Sequence, residues 1–197
     1  MIESSIQETN PPNDQDLYLP DQAANYPKAT LRFFLVGLMG SGKTYWSKKL
    51  AKQYNLTAYD LDSVITENEH CSVSEIFSSK GEGFFRDLEK EALLSFGNKQ
   101  NFILSCGGGT PCFHNNMEWM NKNGITIWID ESLDIIAERL IHSKNVRPLI
   151  KDKSDEQLAS YLKTLLAERT PFYNKAAFRL QGPISIDLFK QIFKNHA

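Results

Sequence analysis

Residues 37–44 have the residue types and spacing that most directly indicate chemistry. They read Gly-Leu-Met-Gly-Ser-Gly-Lys-Thr and fit the pattern GxxxxGK[ST]. Glycines let the backbone approach phosphate oxygens closely, and successive N–H groups along such a turn form a concave anion site. Lys43 can reach the β- and γ-phosphates of a nucleoside triphosphate, and the Thr44 hydroxyl can ligate Mg²⁺. The stretch predicts a triphosphate site, with contacts from Gly40, Ser41, Gly42, Lys43 and Thr44.

Two carboxylates, Asp60 and Asp62, follow a short apolar stretch at residues 56–59. Alternate residues of an extended chain share a face, so both carboxylates can point into one cleft. One can hold hydrated Mg²⁺, and the other can accept a proton from an acceptor hydroxyl during phosphoryl transfer. The alternative is structural, because Asp62 begins a helical pattern and can serve as its N-cap.

Three arginines extend this set, and two of them have two interpretations. Arg86 lies beside Phe84 and Phe85 and is either held at a pocket rim by Glu89 or part of a solvated surface pair. Arg169 either complements a helix C-terminus or grips a carboxylate with its bidentate fork. Arg147 lies in the polar, basic stretch 143–153, which is typical of a lid that closes over phosphates.

Three consecutive glycines, Gly107, Gly108 and Gly109, follow an apolar stretch at residues 101–105. Such a run is costly to order, and a mere turn needs only one or two glycines. It indicates close approach of the backbone to a ligand.

The elements that must position these residues alternate between strand and helix. Apolar runs predict strands at 31–36, 56–59, 101–105, 125–129 and 177–180. Helical spacing predicts helices at 43–54, 73–79, 84–96, 114–122, 132–142, 154–169 and 184–194. This alternation predicts an α/β fold with a parallel sheet, in which ligands bind beyond the carboxyl ends of the strands.

Composition sets the broad class. The 197 residues, 41% hydrophobic and 23% charged, are typical of one globular domain, expected at 31–197. Residues 1–30 are polar and Pro-containing and are expected to form a flexible extension, with Leu17, Tyr18 and Leu19 as candidates for docking on the body.

The net charge of −2 gives no indication that the protein binds nucleic acid. No apolar run of about 18 residues predicts a membrane span. Three cysteines outside any CxxC pair favour reduced thiols in a cytoplasmic protein.

Six stretches together resemble the shikimate kinase family. They are GLMGSGKT (37–44), YDLDSVI (59–65), EIFSSKGEGFFRDLEKEAL (75–93), LSCGGGTP (104–111), VRPLI (146–150) and AERTPFY (167–173). Only the first is specific alone, but the set is specific in order and interval. The resemblance covers about residues 31–194. It implies a three-layer α/β/α fold with a five-stranded parallel sheet in the order 2-3-1-4-5, a mobile lid at about 143–153 and a substrate-binding region at about 61–96.

The resemblance also implies a reaction and roles. ATP would phosphorylate the shikimate 3-hydroxyl, with Mg²⁺ associated with Thr44 and Asp60 and with Lys43, Asp62 and Arg147 as the catalytic residues. ATP would also contact Arg147 and the residue after the phosphate loop, Tyr45. Shikimate would bind to Asp62, Arg86, Arg169, Gly107, Gly108, Gly109, Phe77 and Phe85, with Val73, Pro148 and Leu149 at further apolar positions. The resemblance implies a cytoplasmic monomer that binds neither nucleic acid nor membrane.

Some positions depart from the family pattern, and rival functions remain. Tyr45 and Trp46 stand where the family usually has a small residue. His142 and Lys144 stand where an extra nucleotide-contacting arginine often appears, and Arg139 is the candidate replacement. The rivals are a related small-metabolite kinase such as gluconate kinase and a non-catalytic paralogue that binds a partner. A regulatory GTPase is disfavoured because Asn121-Lys122 is followed by Asn123-Gly124, which breaks the NKxD pattern.

Overall fold

The computed structural model of the protein describes residues 17–18, 31–142 and 153–196. Its strands are β1 (Leu17–Tyr18), β2 (Arg32–Val36), β3 (Thr57–Asp60), β4 (Phe102–Ser105), β5 (Ile125–Asp130) and β6 (Phe178–Gln181). Continuous apolar runs such as Phe33-Phe34-Leu35-Val36 form central strands because helices cover both faces of a parallel sheet. All four of these side chains are fully buried.

The strands form one sheet in the order β1-β6-β5-β2-β4-β3. The five strands from β2 to β6 are mutually parallel. Counted from β2 as the first strand, their order is 2-3-1-4-5, which confirms the prediction. β1 is an addition at the edge, where it pairs antiparallel with β6 and sets Leu17 opposite Leu180. Two of the three residues expected to dock on the body therefore have their backbone in the sheet.

Seven α-helices flank this sheet in the described part of the chain. They are α1 (Lys43–Tyr54), α2 (Leu61–Glu69), α3 (Val73–Leu94), α4 (Asn116–Asn123), α5 (Leu133–Ile141), α6 (Asp155–Tyr173) and α7 (Ile186–His196). One apolar core contains residues of α2 to α6, and a second contains residues of α1 and α7. Alternate strand residues divide between the two cores, with Phe34 and Val36 in the first and Phe33 and Leu35 in the second. The three-layer arrangement predicted from the resemblance is confirmed.

Several helix boundaries differ from the prediction for local reasons. α3 runs through both helices predicted at 73–79 and 84–96, but its backbone leaves the helical region at Gly81, with φ 80° and ψ 174°. α4 begins later than predicted because His114 and Asn115 adopt left-handed φ values of 52° and 55°. α6 continues past Arg169 to Tyr173 and includes Pro171.

Several expectations fall outside the described residues. They concern the proposed lid, with Lys144, Arg147, Pro148 and Leu149, and the extension apart from Leu17 and Tyr18. Among the helices that the structure describes, none is long and apolar enough to cross a membrane.

Candidate active site

The phosphate loop connects β2 to α1 at the carboxyl end of the sheet. Its backbone adopts φ values of 79° at Gly40 and 96° at Gly42, which glycine tolerates without strain. Lys43 is 7% exposed, and its ammonium donates to the carbonyls of Gly37 and Leu38 at 2.9 and 2.7 Å. Ser41 Oγ is buried and has no hydrogen-bond partner among the described residues. The loop thus presents a buried cation and a buried polar atom beside the N-terminus of a helix, which suits a phosphate.

Thr44 and Asp60 form an oxygen-rich pair next to this loop. Thr44 Oγ1 donates to Asp60 Oδ2 at 2.8 Å and lies 3.3 Å from Ser105 Oγ. Three elements supply these groups: α1, the end of β3 and the end of β4. Mg²⁺ prefers oxygen ligands and usually takes only one or two from the protein, so a hydroxyl beside a carboxylate fits this metal. In the described part of the chain, no group of three or more His, Cys, Asp or Glu residues could hold a metal ion.

Asp62 occupies a different position from the one its spacing predicted. Only Asp60 is extended, with φ −123° and ψ 123°, while Asp62 lies in the first turn of α2. The alternative role as N-cap belongs to Asp60, whose Oδ1 accepts from the Ser63 N–H at 3.4 Å. The strand runs into the helix with no intervening loop, so the two-residue alternation ends at Asp60. Asp62 faces the glycine run, where its Oδ1 lies 3.1 Å from the position a Cβ would take on Gly107.

Arg86 belongs to a buried network, so its interpretation as part of a solvated surface pair is wrong. Its residue is 8% exposed and that of Glu89 is 1% exposed. The guanidinium donates through Nη1 to Glu89 and through Nε and Nη2 to Glu82, at 3.1 and 2.8 Å. Glu89 also accepts from Thr110 Oγ1 at 2.5 Å. Burial lowers the pKa of Arg86, but the carboxylates of Glu89 and Glu82 outweigh it, and the net pKa lies above its ordinary value.

The glycine run lies against both candidate arginines. A Cβ on Gly108 would lie 2.7 Å from Arg169 Nη1, and one on Gly109 would lie 2.6 Å from Arg86 Nη1. Any larger residue would push these guanidiniums away, which is the physical reason for glycine at both positions. Gly107, Gly108, Gly109, Asp62, Arg86 and Arg169 therefore meet in one region, as expected from the sequence.

Tyr173, which lies on α6, holds the glycine run in place. The sequence analysis did not identify this residue. Its hydroxyl donates to the Gly108 carbonyl at 2.6 Å. The residue is fully buried, and this burial raises the pKa of the phenol well above its ordinary value, so the hydroxyl stays protonated. Because Tyr173 is one turn after Arg169 on the same helix, the bond ties the glycine run to the helix that carries Arg169.

Aromatic rings surround the Arg86 guanidinium. Phe77 and Phe85 pack against each other with ring centroids 4.7 Å apart, and the guanidinium carbon lies 5.8 and 5.5 Å from them. Phe113 is closer, at 4.5 Å, and was not expected. The sequence gave no indication that Phe113 contacts Arg86, because this contact depends on how two distant segments pack. Low-polarity surroundings strengthen the interaction of this cation with a bound anion.

A cavity of about 720 Å³ lies on the other side of the phosphate loop. It is lined by Gly42, Tyr45, Trp46, Lys49, Glu131, Arg139, Ile184, Ser185 and Ile186. Arg139 donates to the Gly40 carbonyl at 3.1 Å and to Glu131 at 3.0 Å, which places this arginine directly on the loop. Tyr45 is 60% exposed and packs edge-on against Trp46. The cavity adjoins the phosphate loop at Gly42 and has room for the nucleoside of a bound nucleotide.

Comparison with known proteins identifies relatives along most of the chain. The shikimate kinase family model matches residues 39–184. A shikimate kinase from Bacteroides fragilis is 40% identical over 148 residues, which cover 75% of this chain and 83% of that protein. One from Parabacteroides distasonis is 42% identical over 146 residues, covering 74% of this chain and 84% of that protein.

Solved structures give the same result. The crystal structure of shikimate kinase from Bacteroides thetaiotaomicron superposes with a TM-score of 0.77 at 35% identity, covering 85% of this chain and 96% of that one. Shikimate kinase from Acinetobacter baumannii in complex with shikimate superposes with a TM-score of 0.76 at 26% identity, with the same coverage. Sequence relatives and solved structures of similar fold therefore both come from the shikimate kinase family.

Proposed function

We propose that this chain, which belongs to the shikimate kinase family, transfers the γ-phosphoryl group of ATP to the 3-hydroxyl of shikimate. The products are shikimate 3-phosphate and ADP, and the reaction belongs to aromatic amino-acid biosynthesis through chorismate. The observation that supports this function best is the meeting of Asp62, Arg86 and Arg169 at one glycine run beside the phosphate loop. A carboxylate-bearing acceptor explains why two arginines are held there.

The phosphate side is assigned to the loop and α1. Backbone N–H groups of Gly40, Ser41, Gly42, Lys43, Thr44 and Tyr45 would hold the phosphates, and Ser41 Oγ would gain the partner it lacks. Lys43 would exchange its two carbonyl acceptors for phosphate oxygens and stabilise the charge that moves during transfer. Thr44 and Asp60 would hold Mg²⁺, which neutralises phosphate charge when bound. Arg147 is proposed as a further phosphate contact.

The acceptor side is assigned to the arginine and glycine groups. Arg86 and Arg169 would bind the shikimate carboxylate, and the backbone of Gly107, Gly108 and Gly109 would contact the ring substituents. Asp62 would orient the reacting hydroxyl and accept its proton as the oxygen–phosphorus bond forms. Phe77 and Phe85 would cover the apolar face of the ring and exclude water, which protects ATP from wasteful hydrolysis. We further propose that the enzyme acts as a monomer, as the family resemblance implies.

ADP release, measured in a coupled assay with shikimate, gluconate or no acceptor, tests the function. We expect rapid ADP release with shikimate and only background release in the other two reactions. Mass spectrometry of the product should show one phosphoryl group on shikimate. Activity with gluconate and none with shikimate would contradict the proposal and favour the related small-metabolite kinase. Absence of activity with either acceptor would favour the non-catalytic paralogue.

Arg169→Ala is expected to weaken shikimate binding with little change in ATP binding. A hydrogen bond to a charged group contributes about 1.5–3 kcal/mol, so the KM for shikimate should rise about 10- to 100-fold. Steady-state kinetics with each substrate varied in turn provide the measurement. The matched control is Lys163→Ala, an exposed cation on the same helix, which should keep the wild-type KM. An unchanged KM for shikimate in Arg169→Ala would remove Arg169 from the carboxylate site.

A further inference from the structure

Arg86 already has two protein carboxylates as hydrogen-bond acceptors, and this occupancy affects how a substrate anion binds. Nε and Nη2, which form one edge of the guanidinium, both donate to Glu82 Oε1. Nη1 donates to Glu89 Oε2. A guanidinium binds a carboxylate best through two adjacent nitrogens, and the edge formed by Nε and Nη2 is such a surface. In this state, Glu82 holds that edge.

The two carboxylates differ in how firmly they are held. The side chain of Glu89 is 1% exposed and is also bound to Thr110. The side chain of Glu82 is 57% exposed, and within the described residues its hydrogen bonds are those to Arg86. Moving Glu89 would leave a buried charge without partners, whereas Glu82 can turn to water at little cost. Glu82 is therefore the acceptor that can leave.

The backbone before Glu82 permits this movement. Gly81 breaks the helical path of α3 with φ 80° and ψ 174°. No atom lies within 4 Å of the position that a Cβ on Gly81 would take, so the chain has open space at this point. Hinge residues are those that absorb a local change in φ and ψ. Glu82 follows such a residue directly and can change position without repacking the core.

Charge supports the same conclusion. Arg86 and Arg169, which lie against adjacent glycines, together carry +2, and Glu82 and Glu89 carry −2, so the cluster is neutral while Glu82 is in place. Departure of Glu82 leaves a net charge of +1, and the substrate carboxylate that replaces it returns the cluster to neutrality. We propose that Glu82 acts as an internal stand-in for the substrate carboxylate, and that shikimate must displace it from Arg86. This inference rests on the proposed function and adds to it a residue that weakens substrate affinity and selects for a charged carboxylate.

Calorimetric titration of shikimate into the full-length protein without ATP tests this role. Glu82→Gln removes the competing charge while keeping the size of the side chain, and Glu82→Ala removes the acceptor. Because an exposed ion pair is weak, we expect the Kd for shikimate to fall about threefold in both variants. The methyl ester of shikimate, which lacks the carboxylate charge, should bind wild type and variants equally. The control is Glu91→Gln, an exposed acid further along α3, which should match wild type with both ligands.

The opposite results have distinct meanings. An unchanged or higher Kd for shikimate in Glu82→Gln and Glu82→Ala, with unfolding temperatures near that of wild type, would overturn the displacement and make Glu82 a support for Arg86. An equal gain for shikimate and its methyl ester would also overturn it, because the effect would not involve the carboxylate. Failure of the wild-type protein to bind shikimate would instead contradict the proposed function.

Discussion

Asp62→Asn is expected to lower kcat about 10²- to 10⁴-fold, the usual contribution of a positioned acid or base. Asparagine keeps the shape of the side chain and its hydrogen bonding, but its amide does not accept the proton of the shikimate hydroxyl. Asp62 lies at the glycine run, whereas Asp60 contacts Thr44 of the phosphate loop. The affinity for ATP should therefore change less than twofold.

Rapid-quench measurement of a single turnover isolates the chemical step from product release. Glu67→Gln, an exposed acid on the same helix, serves as the control and should show the wild-type rate. Full activity of Asp62→Asn would exclude Asp62 as the proton acceptor. A loss of ATP affinity equal to the loss of kcat would place Asp62 with the nucleotide rather than with the acceptor.

The parts of this site that could be predicted from sequence are those whose chemistry is local. Residues 37–44 determine their own loop, since the glycines, the lysine and the start of α1 are contiguous. The strand order followed from family resemblance, and the alternation of strands and helices independently required a parallel sheet. The interruption of α3 was also predicted, as two helices at 73–79 and 84–96, and the backbone leaves the helical region between them at Gly81.

The parts that failed depend on junctions and on distant packing. The spacing of Asp60 and Asp62 indicated an extended pair, the helical pattern that begins at Asp62 indicated a cap, and the sequence did not decide between them. Asp60 accepts one hydrogen bond from Thr44 and another from Ser63, so the same carboxylate serves the site and the helix N-terminus. A residue that satisfies two local patterns gives an ambiguous signal.

The sequence also did not show that Arg86 is buried. Glu89, one turn later, was identified as a partner, but helical spacing describes exposed and buried pairs equally. Thr110 and Phe113, which complete the surroundings, come from a segment more than 20 residues away. Tyr173 reaches Gly108 across 65 positions of sequence. A single sequence does not show which distant residues contact each other. The residues of the site were therefore predicted from family resemblance, whereas their packing became visible only in the structure.

Lys43→Met is expected to lower kcat about 10²- to 10³-fold, which is typical for loss of one preorganised group that stabilises transition-state charge. Methionine approximates the length and shape of lysine but has no cation for the transferring phosphoryl group. The affinity for ATP should also fall, in contrast to Asp62→Asn. Single-turnover rates and nucleotide titrations measure both effects.

The same substitution also affects stability, and the two consequences must be separated. The Lys43 ammonium donates to the carbonyls of Gly37 and Leu38 at 2.9 and 2.7 Å. Methionine has no donor, so both carbonyls lose this hydrogen bond. An unsatisfied buried polar group costs about 1–3 kcal/mol, so the unfolding temperature should fall as well. Lys48→Met, on the exposed face of α1, controls for loss of a positive charge and should retain wild-type activity and stability. Turnover measured well below the unfolding temperature then isolates catalysis, and a rate within threefold of wild type there would exclude Lys43 from phosphoryl transfer.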